Sequence, residues 1–164
     1  MTSRRAFVAG VLAIAVAGCR TAGIYVPAVR MQVAAQPAEV RAGDTLRIAV
    51  TLVNPRPDTV LLEFGPECRV SFMVLDETDR AVTAPENDAR CIAPGGGRLA
   101  LAPGGTWRAQ GAWRATRGGE PLPPGSYSVG AVLGDHHSTV RGKRAYKLGS
   151  GAERVRIRVL PARP

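Results

Sequence analysis

The chain has 164 residues, 22 of them Lys or Arg against 13 Asp or Glu, for a formal net charge of +9, with 19 glycines, 13 prolines and 3 cysteines. With a cleavable N-terminal segment set aside, this length supports one domain with a real core and does not comfortably hold two. The glycines and prolines gather in short clusters between apolar stretches, an arrangement that a helical chain would not tolerate.

The first nineteen residues read as an address. Arg4-Arg5 precede an apolar run, Phe7 to Val16, that ends in Val16-Ala17-Gly18-Cys19, the pattern of a bacterial lipoprotein signal. The run is too short for a bilayer core, which needs about 20 residues. Cleavage before Cys19 is expected to leave a lipidated cysteine as the new first residue. Arg20 follows it, with no aspartate there to mark inner-membrane retention, so the expected location is the outer membrane, facing the periplasm. Ser3-Arg4-Arg5-Ala6-Phe7-Val8 resembles a twin-arginine export motif, but two arginines also form an ordinary start, and export in the unfolded state is the expectation.

Beyond the signal, period-2 alternation decides the class. Val29, Met31 and Val33 begin it, and Leu46, Ile48, Val50 and Leu52 alternate with Thr45, Arg47, Ala49 and Thr51, as in a half-buried strand. Further inward rows are Val60, Leu62 and Phe64; Val70, Phe72 and Val74; Trp107, Ala109, Gly111 and Trp113; Tyr127, Val129, Ala131 and Leu133; and Val155, Ile157 and Val159. Turn signals separate them: Asn54-Pro55-Arg56-Pro57-Asp58, Pro94-Gly95-Gly96-Gly97, Pro103-Gly104-Gly105, Gly118-Gly119 and Pro123-Pro124-Gly125. The spacing predicts an all-β sandwich of seven or eight strands. The expected organisation is a signal peptide over 1–18, a lipidated tether over 19–28, the sandwich over 29–160 and a tail over 161–164.

Cys68 opens one row and Cys91 lies beyond the polar turn Asp76-Glu77-Thr78-Asp79-Arg80, so a hairpin folded there brings the two nearly opposite. An oxidising periplasm then predicts a disulfide worth roughly 3 kcal/mol. Metal ligation by the two thiols lacks the close spacing that would argue for it.

The search for chemistry is sparse. His136 and His137 are adjacent and point to opposite sides of an extended segment, poor geometry for a shared metal even with Asp135. Asp76, Glu77 and Asp79 surround Arg80, which suits turn chemistry better than calcium. The serines sit in no nucleophile elbow, and Pro94-Gly95-Gly96-Gly97 carries no lysine and precedes a strand, so it is no phosphate loop. Trp107 and Trp113 share a parity and read as core or disulfide-packing residues. No enzyme, metal or cofactor is expected.

Charge is placed unevenly. From Asp135 onward, Arg141, Lys143, Arg144, Lys147, Arg154, Arg156, Arg158 and Arg163 face only Asp135 and Glu153. Arg154, Arg156 and Arg158 alternate with Val155, Ile157 and Val159, so they share the outer face of the last strand, about 7 Å apart. Such a row protects an edge from unwanted pairing. With Arg141, Lys143 and Arg144 it is also a candidate for docking to anionic envelope surface. Nucleic acid is not an expected partner of an envelope protein.

Gly43-Asp44-Thr45-Leu46 leading into Val53-Asn54-Pro55, then Thr59 to Phe64, Val70 to Asp76, Leu99 to Thr106, Trp113, and Gly119 to Val129 follow one another in an order that resembles the intracellular proteinase inhibitor family first described in Bacillus. The likeness covers Arg41 to Leu133 and implies an immunoglobulin-like sandwich, in which Tyr127 resembles the buried tyrosine that anchors a loop. The family's tryptophan-rich segment is replaced by residues Ala84 to Cys91, a place for a distinct interaction surface, and no inhibitory residue is carried over. Two functions are therefore expected as alternatives. The first is a monomeric, lipid-anchored module binding an envelope protein, with a protease suggested by the resemblance. The second is a structural protein docking through its basic C-terminal region.

Overall fold

The computed structural model describes residues 29–83, 90–134, 136–140, 143–145 and 154–163. Among these residues the structure is all-β with no helix. Cys19, Asp135, Arg141 and the segment 84–89 lie outside the described residues, as does the predicted signal peptide.

Each predicted inward row is a strand. In chain order the strands are β1 (Arg30–Gln36), β2 (Glu39–Arg41), β3 (Thr45–Val53), β4 (Val60–Phe64), β5 (Cys68–Leu75), β6 (Arg90–Pro94) and β7 (Gly97–Leu101). They continue as β8 (Thr106–Arg114), β9 (Thr116–Arg117), β10 (Glu120–Pro121), β11 (Gly125–Leu133), β12 (His136–Val140), β13 (Lys143–Ala145) and β14 (Val155–Leu160). Among the described residues fourteen segments stand where seven or eight were expected. The additional ones are short, and several are polar, such as Glu39–Arg41 and Glu120–Pro121, so their own periodicity carries no strand signal. Between β9 and β10, Gly118 and Gly119 both take positive φ, 60° and 93°, the backbone of a two-residue hairpin turn that side chains resist.

The larger sheets have the orders β1-β3-β8, β2-β14-β11-β5-β6 and β13-β12-β4-β7, with β9 and β10 forming a small ribbon. All pairings are antiparallel except β2 with β14. The core shows how the layers stack in a β-sandwich-like manner. Leu46, Ile48 and Trp113 of the three-stranded sheet pack against Phe72, Val74, Val129, Ile157 and Val159 of the five-stranded sheet. Leu52, from the far end of β3, packs instead with Val60, Leu62 and Phe64 of β4 and Leu101 of β7. Val50, Val70 and Ala131 form a third cluster, bordered by Met31, Val33, Ile92, Trp107 and Leu133, which also border the other two. Leu46, Ile48, Val50 and Leu52 are fully buried, so each stabilises by about 1.5–3 kcal/mol relative to exposure.

The disulfide Cys68–Cys91 joins β5 to β6 with a Cα–Cα distance of 5.9 Å. The turn at residues 76–80 reverses the chain as expected. Val82 N–H donates to Val74 C=O at 2.8 Å, and Leu75 bridges Ala81. The pairing of β5 with β6 is irregular between Cys68 and Ser71, where the register shifts.

Candidate functional site

The β5 turn is built around one carboxylate. Asp76 Oδ1 accepts the Thr78 N–H at 2.8 Å, the Thr78 hydroxyl at 2.7 Å and the Arg80 N–H at 3.0 Å. These donors favour the ionised form. The Thr78 hydroxyl first, then the Arg80 N–H, hold Asp76 below the ordinary carboxylate value of 3.8. Asp79 takes a left-handed backbone with φ of 61°, which aspartate tolerates better than most residues. The turn thus spends Asp76 on its own backbone and projects Glu77 and Asp79 outward.

Across the five-stranded sheet, β14 aims its arginines at the same face. Ile157 and Val159 are buried, so Arg154, Arg156 and Arg158 stand opposite on the exposed side, as alternation predicted. The strand between them, β11, shows small residues on that side: Ser126 opposes Arg158, and Ser128 lies between Arg156 and Leu75. Gly130 continues this small-residue side, with the Arg154 stem packed over it at ordinary contact distance. The result is a groove of about 590 Å³, lined by Asp76, Glu77, Asp79, Ser126, Tyr127, Ser128, Arg154 and Arg156. Arg154 Nη1 donates to Asp79 Oδ1 across it.

The structure therefore separates the members of the basic cluster. Arg154 is paired with Asp79, and Arg158 lies 3.9 Å from Glu39 of β2. Arg156 has no carboxylate partner among the described residues. These exposed pairs add little stability, but they remove much of the row's net charge. Lys143 and Arg144 fall on β13, in register with Val140 and Thr139 of β12, remote in sheet order from β14.

Tyr127 borders the groove, and its side chain is buried in the core. Its hydroxyl donates to Pro123 C=O at 2.9 Å. Burial, and then the charges of Asp76 and Glu77, push that hydroxyl's pKa up. Trp113 is buried in the main core cluster, and Trp107 packs at the edges of the other two clusters. His136 sits on β12 opposite Phe64, their rings 5.8 Å apart, with Nδ1 2.7 Å from Gly134 C=O.

Sequence reasoning singled out the acidic turn and the arginine strand separately and missed that they form one groove. Ser126 and Ser128 were the available signal, because their parity opposes Tyr127 and Val129 and marks small residues on the outer face. Asn54 was also missed. It reads as a turn residue, yet it is fully buried and ties three carbonyls together.

No protein-family model matches the chain, and no curated protein does. Among solved structures, the ApaA protein of Bordetella pertussis is 12% identical with a TM-score of 0.45, the match covering 81% of this chain and 96% of that one. The Pseudomonas fluorescens alkylpurine DNA glycosylase AlkC, bound to DNA containing an abasic site analog, is 15% identical with a TM-score of 0.41 over 81% of this chain and 30% of that one. A β-glucosidase from Erythrobacter marinus is 17% identical with a TM-score of 0.40 over 80% and 16%. The chain thus spans under a third of the DNA glycosylase and about a sixth of the glucosidase. These enzymes stand against the sequence-based expectation that this chain is not an enzyme, and that exclusion is withdrawn. At such TM-scores they assign it no activity in its place.

Proposed function

We propose that this chain is a lipid-anchored binding module of a bacterial envelope, an immunoglobulin-like sandwich tethered through Cys19 to the outer membrane and holding an envelope protein in the groove beside β14. The observation that carries the reading is the groove's mixed charge, with Glu77 and Asp79 facing Arg154 and Arg156 over a floor of serines. A uniformly anionic polymer meets repulsion from the carboxylates there. A peptide segment carrying both signs is matched at both walls. The resemblance to the intracellular proteinase inhibitor family makes a protease the first partner to test. The pairing of Arg154 and Arg158 with Asp79 and Glu39 is why the groove is preferred over simple electrostatic docking of the C-terminal region.

Two experiments test the two halves. Metabolic labelling with a fatty-acid analogue should mark the chain, and Cys19→Ala should abolish the label; a label that persists refutes the anchor. A photo-crosslinking residue at Ser128, in native envelopes, should give a discrete protein adduct that survives moderate salt and is lost when Asp79→Lys is added. An equal adduct from a crosslinker at Gln110, on the opposite sheet, would refute the groove.

A further inference from the structure

The three-stranded sheet turns one face to the core and leaves the other exposed, and that outer face carries charge of a single sign. β1, β3 and β8 contain no aspartate or glutamate, while Arg30, Arg47, Arg108 and Arg114 all point outward with alternate, exposed parity. Arg114 Nε is engaged by Gly43 C=O at 2.6 Å. Arg30, Arg47 and Arg108 have no carboxylate partner among the described residues, unlike Arg154 and Arg158.

The register fixes their layout. Arg30 lies beside Val53, Arg108 beside Thr51, and Arg47 beside Gln36 and Ala112. Six residues of β3 separate the level of Arg30 from Arg47, so the cations spread over about 20 Å along the strands. Gln32, Gln36 and Gln110 fill the spaces between them with amide donors, and Ala34 and Ala49 keep the centre low. Arg47 and Arg108 flank one shallow hollow while Arg30 stands apart from it, so the three together do not converge on a single phosphate. They suit a planar array of phosphates, each arginine forming charge-assisted bonds to a separate headgroup.

We propose that the outer face of β1-β3-β8 is an anion-binding face that lays the domain against a bilayer of anionic phospholipid. The choice of a bilayer over a soluble polyanion rests on the proposed anchor at Cys19, since the segment carrying it leads directly into β1 at Arg30. At an anionic surface each arginine contributes about fivefold in affinity, so the three together contribute about a hundredfold at low salt.

The test uses the full chain carrying Cys19→Ala, so that no acyl chain contributes, sedimented with vesicles of phosphatidylcholine alone or mixed with phosphatidylglycerol. Preferential binding to the anionic vesicles, weakened by salt, is expected to fall by about a hundredfold in Arg30→Gln/Arg47→Gln/Arg108→Gln and to survive in Arg154→Gln/Arg156→Gln/Arg158→Gln. Gln32→Glu/Gln110→Glu, which changes almost no volume, should weaken it as well. Tryptophan fluorescence verifies that each variant is folded. Unchanged binding in both variants of this outer face overturns the proposal, as does loss confined to the β14 variant. Equal affinity for soluble polyphosphate would assign the face to a dissolved polyanion and overturn the bilayer. Fatty-acid labelling of the unaltered chain reads the anchor separately, so failure of one idea is distinguishable from failure of the other.

Discussion

Replacing Asn54 should cost this protein more than any exposed substitution of similar size, because one buried amide holds two loops together. The two hydrogens of its Nδ2 are shared among Asp58 C=O at 2.8 Å, Leu101 C=O at 2.9 Å and Ala102 C=O at 3.0 Å, and its Oδ1 accepts the Arg56 N–H at 2.9 Å. Its backbone adds two bonds to the same loop, to Gly105 and from Gly104. Asn54→Ala removes these side-chain bonds and keeps the backbone ones. Leaving a buried polar group without a partner costs about 1–3 kcal/mol. The Leu101 carbonyl contact is buried, whereas the others are partly so and can recruit water. The expected cost is therefore about 1–3 kcal/mol, a sizeable share of a total stability of about 5–15 kcal/mol. Urea unfolding followed by the fluorescence of Trp107 and Trp113, with the disulfide intact, measures it directly. A loss below about 1 kcal/mol would refute the reasoning. Asn54→Asp sharpens the test. It sets a carboxylate against three carbonyl oxygens, so the folded state favours the protonated form and raises that group's pKa. Its stability should be best at acid pH and fall as pH rises through the raised value, the reverse of an ordinary surface aspartate.

The disulfide closes a loop with a sequence separation of 23, so Cys68→Ser/Cys91→Ser should lower stability by about 3 kcal/mol in the chain-entropy model, read from the urea midpoint. Two readily alkylated thiols in the native protein would refute the bond itself. Asp76 has a lowered pKa, so its contribution to stability is present above the ordinary carboxylate value and is lost as pH falls through the lowered one. Thr78→Val removes the largest cause, and carboxyl-resolved NMR titration should show Asp76 moving back toward 3.8. No movement would refute the assignment.

The elements legible in the sequence are those whose cause is local. Alternation in Leu46, Ile48, Val50 and Leu52 requires a strand with one buried face, whatever it pairs with, and the proline and glycine clusters mark where strands end. The nearness of Cys68 and Cys91 also follows from local reversal at residues 76–80. Alternation likewise set Arg154, Arg156 and Arg158 on one outer face. It could not say which strands flank them. That β14 lies between β2 and β11, bringing Glu39 to Arg158 and the turn's Asp79 to Arg154, is decided by long-range sheet order. The same holds for Asn54, whose partners Leu101 and Ala102 are distant in sequence. It holds too for the basic face, where Arg108 of β8 joins arginines of β1 and β3 from far along the chain. Periodicity states which way a side chain faces. What it faces depends on pairing and packing between segments far apart in the chain, which only the folded structure decides.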